Sequence, residues 1–283
     1  MILAGALLAL LLSGIPADAT GLPAQPRALR LATTTSTEDT GLLSAILPDF
    51  ERRCGCRVDV VAVGTGQAIA IGERGDADVL LVHARALEER FVAEGHGRTR
   101  LPVMYNDFVV VGPADDPAGA ARLRLAADAF RAVAARGAAF VSRGDKSGTH
   151  VAEQGIWKAA GIAPAGTWYR SVGQGMGETL TAADEMRAYT LCDRGTWLSM
   201  RARLSNLRLL VGGETPGANP DAGLRNQYSV IAVDARSHPG VAADLAARFV
   251  EWIRSPGTQR AIGAFGAARY GQALFYPNAN RLP

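Results

Sequence analysis

Cysteine is scarce in this chain of 283 residues: Cys54, Cys56 and Cys192 are the only three. Three cannot build a disulfide framework, so the fold must rest on a hydrophobic core. Cys54 and Cys56 are separated by one glycine. An oxidising compartment permits a bridge there, but the ring would be small and strained. The plain expectation is a turn at the edge of a helix carrying two thiols, with Cys192 unpaired and buried. Charge of one sign is also lacking. The formal net charge is +3 and the arginines are scattered, which excludes a nucleic-acid footprint. Histidine is sparse too: His83, His96, His150 and His238 stand in unrelated contexts. No HExxH or paired-cysteine metal spacing occurs, and no Gly-x-Ser-x-Gly elbow. No internal repeat or low-complexity stretch is present.

Long apolar runs are missing except at the start. The first residues, Met1-Ile-Leu-Ala-Gly-Ala-Leu-Leu-Ala-Leu-Leu-Leu12, lead to Ala17-Asp-Ala19, a small-x-small cleavage pattern. The run is short for a membrane span, and no cysteine follows it to take a lipid anchor. We read residues 1–19 as a secretory signal peptide cut after Ala19, with an uncleaved anchor as the rival. The mature chain is then expected to be soluble and periplasmic. Roughly 260 residues remain, enough for one large or two medium domains. Hydrophobic content of 48% and charged content of 20% are globular values.

Strand and helix patterns alternate along the chain. Strands are expected at 28–32, 57–63, 78–83 and 104–112, with helices at 41–53, 67–72 and 86–94 between the first three and before the fourth. Pro48 should bend or weaken the first helix. Further strands are expected at 138–142, near 168, and at 189–191, 207–211 and 228–233. Helices are expected at 128–136, 149–160, 178–188, 241–254 and 258–265, with another starting near Gly195 behind Asp193 as N-cap. Alternation of this kind builds mixed, mostly parallel sheets flanked by helices. The chain leaves a first lobe near residue 105 and returns near 228, so two crossing strands form a hinge. The expected division is 28–106 with 226–283 in lobe one, and 107–225 in lobe two.

Two stretches carry the chemistry. Leu31-Ala-Thr-Thr-Thr-Ser-Thr-Glu-Asp-Thr-Gly41 and Phe140-Val-Ser-Arg-Gly-Asp-Lys-Ser-Gly-Thr-His150 lie about 110 residues apart. Each passes from a strand through hydroxyl and glycine residues into a helix. That geometry aims free N–H groups and hydroxyls at one spot, which suits an anion. Capping the next helix needs one hydroxyl, not the run Thr34-Thr-Ser-Thr37, so Thr34 and Ser36 are candidate ligands. In the second stretch Arg143 offers a fork of donors, while Ser147, Gly148 and Thr149 open a helix. Asp145 can pair with Arg143, and His150 is expected to brace the loop. Thr65, in Gly64-Thr-Gly66-Gln67, is a third strand-to-helix turn, either ligand donor or structural.

These residues resemble the tungstate-binding proteins of bacterial ABC transporters, members of the type II periplasmic binding fold. The likeness is carried by Thr33-Thr-Thr-Ser-Thr37, Val63-Gly-Thr-Gly-Gln67, Gly75-Asp-Ala-Asp-Val-Leu-Leu-Val-His83, Met104-Tyr-Asn-Asp-Phe108, Ser142 to His150, and Tyr189-Thr-Leu-Cys-Asp-Arg-Gly-Thr-Trp197. It implies that Thr34, Ser36, Arg143 and Thr149 contact the oxyanion with Thr65 close by. It implies an inner-membrane permease and a cytoplasmic ATPase as partners, a monomeric binder without cofactor, and no catalysis. The only metal would be tungsten, carried as an oxyanion. Arg followed by Ser-Gly-Thr is also similar to phosphate binders of the same fold. Tungstate, molybdate and sulfate want donors alone, whereas hydrogen phosphate needs an acceptor. Asp39 or Asp145 is available for that role, which keeps a phosphate- or sulfate-binding protein as the alternative. From another class, a secreted hydrolase can be drawn with Ser147 or Ser36, His150 and Asp193. A cytosolic sensor domain is disfavoured by the leader and by the lack of a DNA-binding helix pair.

Overall fold

A computed structural model describes residues 27–279. The expected signal peptide, residues 1–19, lies outside them. The chain opens with β1 (Ala28–Thr34), α1 (Thr35–Asp39), α2 (Leu42–Cys54), β2 (Arg57–Val63), α3 (Thr65–Glu73), β3 (Val79–Val82), α4 (Arg85–Ala93) and β4 (Leu101–Pro113). It continues with α5 (Ala126–Arg136), β5 (Phe140–Ser142), α6 (Gly148–Ala159), β6 (Tyr169–Ser171), α7 (Met176–Met186), β7 (Thr190–Asp193), α8 (Arg194–Met200) and β8 (Leu207–Val211). It closes with β9 (Arg225–Ala232), α9 (Ala243–Arg254), α10 (Pro256–Ala264), α11 (Ala267–Tyr270) and β10 (Tyr276–Pro277).

The two-lobe architecture follows from one strand. The first half of β4 pairs with β9, from Leu101 opposite Val230 to Asp107 opposite Arg225. Its second half leaves that sheet and pairs with β7 and β8. The first lobe's sheet runs β10-β4-β9-β3-β1-β2. Its parallel part is β2-β1-β3, while β9 runs antiparallel to both β3 and β4. In the second lobe β5 pairs in parallel with β6 and bridges to Tyr189. Parallel pairing thus lies in the strand–helix–strand units, and the strands that cross between lobes run against their neighbours. The first lobe packs Phe50, Phe249 and Trp252 together under its sheet. The second packs Phe130, Phe140 and Trp157.

Several element ends move from their expected places. Residues 35–39 form a helix of their own, because Thr34 caps it by accepting from the Thr37 N–H. Gly41, at φ 78°, breaks the chain before α2. Pro48 sits inside α2 without ending it. It lies on the helix's exposed side, between the buried Leu47 and Phe50. α3 and α7 each start two residues earlier than the apolar spacing suggests. The cysteine pair departs from expectation, since Cys54 and Cys56 are bridged, whereas Cys192 is free and buried as expected. Gly55 explains the bridge. Its left-handed conformation, φ 64°, closes α2 and brings the flanking Cα atoms to 5.1 Å.

A buried ion pair ties β4, one of the crossing strands, to α8. Arg194 and Asp107 are each 2% exposed and meet through two hydrogen bonds of 2.7 and 2.6 Å. The guanidinium also donates to the carbonyls of Gly212, Gly213 and Glu214, and Asn219 donates to Asp107. Asp107 is the residue at which β4 changes sheets. Asp107→Ala would strand a buried cation, so denaturant unfolding should show a loss of about 3–5 kcal/mol. A loss under about 1 kcal/mol, the range of surface pairs, would contradict this role.

Candidate functional site

Parallel pairing puts the ends of β1, β2 and β3 on one edge, and each strand hands over to a helix there. Thr33 is fully buried and donates to the Leu81 carbonyl, locking β1 to β3. The next residue, Thr34, then stands beside His83. Its Oγ1 lies 3.1 Å from His83 Nε2, 3.1 Å from Ser36 Oγ and 2.7 Å from Thr37 Oγ1. At the end of β2, Gly64 precedes α3 without a side-chain cap. The first N–H groups of α3 are therefore left for another partner. Thr65 is buried, and its hydroxyl has no hydrogen-bond partner.

The second lobe presents a matching edge. After β5 the chain turns through Gly144 at φ 65° and Lys146 at φ 60°. Gly144 is required twice over, since a Cβ there would lie 2.7 Å from the Ser171 Cβ. Ser147 caps α6 by accepting from the His150 N–H, and His150 Nδ1 accepts from the Lys146 N–H. The imidazole braces the loop, as expected. Arg143 is 11% exposed and donates through Nη2 to Asp145 at 2.6 Å. Its Nε is buried without a partner. Burial works to raise the pKa of Asp145. The Ser147 hydroxyl and N–H, with Arg143, outweigh that and hold it below the usual carboxylate range. The carboxylate is therefore ionised and spent on orienting Arg143.

All six residues singled out from the sequence, Thr34, Ser36, Thr65, Arg143, Ser147 and Thr149, line one cavity of about 540 Å³ between the lobes. Helices α3, α6 and α7 all begin on its wall. Three other wall residues carry carboxylates. Asp39 and Glu178 are exposed, and Asp193 is taken up by the Thr196 N–H and hydroxyl as the cap of α8. The interior thus offers unspent donors and acceptors lie at its rim. Such a surface suits an anion that carries no proton of its own.

The proton on Thr34 is directed away from this interior. Asn226 donates its amide to Asn106 Oδ1 at 2.8 Å, so its own Oδ1 accepts from His83 Nδ1 at 3.0 Å. His83 Nε2 is then an acceptor, and Thr34 is its nearest donor. The imidazole keeps some solvent contact, but the groups packed round it desolvate it and hold its pKa down at about 4. Thr34 therefore braces Ser36 and α1 more than it faces the cavity. With that proton spent, Thr34 meets Ser36 and Thr37 as an acceptor, and Ser36 stands on the cavity wall.

Sequence reasoning missed three contributors. The turn Gly175-Met-Gly177, opening α7, is on the wall. Its signal is a glycine run, Gly173-Gln-Gly-Met-Gly177, leading into a helix. His83 had a signal in its place at a strand's end. Arg269, also on the wall, comes from α11 far along the chain and had none. The hydrolase arrangement does not assemble: Ser147 and Asp193 each cap a different helix, and His150 faces Lys146.

A model of the PBP superfamily domain matches residues 22–256. The tungstate-binding protein TupA of Peptoclostridium acidaminophilum is 48% identical, over 88% of this chain and 85% of its own. The solved TupA tungstate-binding protein from Desulfovibrio alaskensis G20 is 45% identical, with a TM-score of 0.79 over 90% of this chain and all of its own. The tungstate ABC transporter structure from Geobacter sulfurreducens is 48% identical, with a TM-score of 0.73 over 84% of this chain and 98% of its own. Likeness on this scale, over nearly the whole described fold, makes this chain a member of the PBP superfamily and, within it, of the family of TupA tungstate-binding proteins.

Proposed function

We propose that the chain is the substrate-binding component of an ABC importer and captures tungstate, or the near-isosteric molybdate, between its lobes. The observation that carries the reading is the pair of orphaned donors. Arg143 Nε and the Thr65 hydroxyl are buried, unpartnered, and belong to opposite lobes on one cavity. A buried donor without a partner costs about 1–3 kcal/mol, and a bound oxyanion removes that cost. The names of the relatives fit the same ligand. Ser36, Thr65, Arg143 and Thr149 would donate directly, with the N–H groups that open α3 and α6. Thr34 and Ser147 would hold those donors in place through their caps.

In this reading lobe one comprises residues 28–106 and 226–283, and lobe two 107–225. The protein acts as a monomer in the periplasm after loss of residues 1–19 and hands its cargo to an inner-membrane permease. Arg143 supplies a charge-assisted bond to one oxygen while Asp145 fixes its plane. The rim position of the carboxylates favours tungstate over hydrogen phosphate, which must place a proton somewhere.

Arg143→Ala should weaken tungstate binding at least tenfold by calorimetry, since a hydrogen bond to a charged group contributes about 1.5–3 kcal/mol. Unchanged affinity would refute the assignment. Thr65→Val, equal in shape but lacking the hydroxyl, should cost about twofold to tenfold, the share of one neutral donor. In a side-by-side titration, tungstate and molybdate should bind at least about a hundredfold tighter than phosphate, a gap of roughly 2.7 kcal/mol. Equal or tighter phosphate binding would favour the phosphate-binding alternative.

A further inference from the structure

One contact between the lobes lies outside the donor set. Gly148, the first residue of α6, packs its Cα against the edge of the His83 ring. A Cβ placed on Gly148 would stand 2.6 Å from His83 Cε1 and 3.3 Å from Nδ1. Cβ atoms do not approach other atoms that closely, so a side chain here would force the lobes apart. His83 is poorly placed to give way. Asn226 holds Nδ1 at 3.0 Å, Thr34 holds Nε2 at 3.1 Å, and the Tyr228 ring lies against it at 4.6 Å. Asn226 and Tyr228 belong to β9, one of the two crossing strands, and Asn226 is tied to Asn106 on the other. The imidazole is therefore a rigid post rooted in the hinge. It is neutral, so its meeting with α6 is governed by shape.

We propose that His83 is a spacer that sets the gauge of the oxyanion site, with Gly148 as the surface that lands on it. The consequence follows from position. Gly148 directly precedes Thr149 and shares its helix start with Arg143's loop, while His83 is bonded to Thr34 and lies 3.4 Å from Ser36. Where Gly148 stops, the second lobe's donors stop, at a fixed distance from the first lobe's. A fixed gap favours one size of tetrahedral anion. A gap set for tungstate would leave the smaller sulfate with weaker bonds to one lobe's donors. Close-packed contacts of this kind resist small displacements, because overpacking by one carbon costs about 1–3 kcal/mol.

The proposal rests on the tungstate reading, and the wild-type titration in the same series separates the two: absence of tungstate binding there counts against the reading itself. The test is a double-mutant cycle in Gly148→Ala and His83→Asn, with tungstate and sulfate titrated by calorimetry. Asparagine keeps a donor for Asn226 and removes Cε1. Gly148→Ala should weaken tungstate binding by about tenfold or more, the equivalent of the overpacking cost. In the His83→Asn background the same substitution should cost less than about threefold, because the obstructing atom is gone. His83→Asn alone should lower the ratio of tungstate to sulfate affinity. Equal costs of Gly148→Ala in both backgrounds, a wild-type affinity in Gly148→Ala, or an unchanged anion ratio would overturn the proposal.

Discussion

A dianion leaves water only where donors already point at the place it will occupy. Everything in this fold that matters for function serves that constraint. Hydration of an ion is worth far more than any single protein hydrogen bond, so the replacement donors must be numerous and fixed before the ligand arrives. The chain meets this by ending strands at a common edge and starting helices there. Three helix N-termini, two orphaned side-chain donors and a set of hydroxyls then face a single cavity. The protein's own carboxylates are kept at the rim or consumed. Asp145 holds Arg143, and Asp193 caps α8.

Donors from two lobes can converge only if the lobes are held in register. The crossing strands β4 and β9 do this, and the pair Arg194–Asp107 fixes the point at which β4 changes sheets. A second set of contacts, Asn106 to Asn226 to His83, carries the same strands' geometry to the cavity edge. Stability and recognition therefore share a framework here. Asn106, Asp107, Arg194 and Asn226 near the hinge bond one another or nearby carbonyls, whereas Thr65 and Arg143 keep atoms in reserve on the cavity wall.

Much of this was legible in the residues. The alternation of apolar strands and amphipathic helices reflects periodicities that local sequence dictates, and the hydroxyl run and the Arg143 loop are short-range patterns. What was illegible depended on contacts distant in the chain. Thr34 looks like a free donor until His83, 49 residues away, accepts its hydrogen bond. Arg269 reaches the wall by the path of the C-terminal helices, which no local pattern encodes. The Cys54–Cys56 bridge was disfavoured because a short ring is strained in general. Gly55, in a conformation open to glycine, removes the obstacle. Helix α1 was missed for a related reason: a run of hydroxyl residues reads as caps, and one of them caps a helix made of the others.

The most direct test of the account is a crystal structure of the protein grown with tungstate, with the metal located by its anomalous scattering. The account predicts one tungsten peak in the cavity between the lobes, with tungstate oxygens within hydrogen-bond distance of Arg143 Nε and the Thr65 hydroxyl. A peak elsewhere, or a tungstate in the cavity that leaves both of those atoms unpartnered, would contradict it.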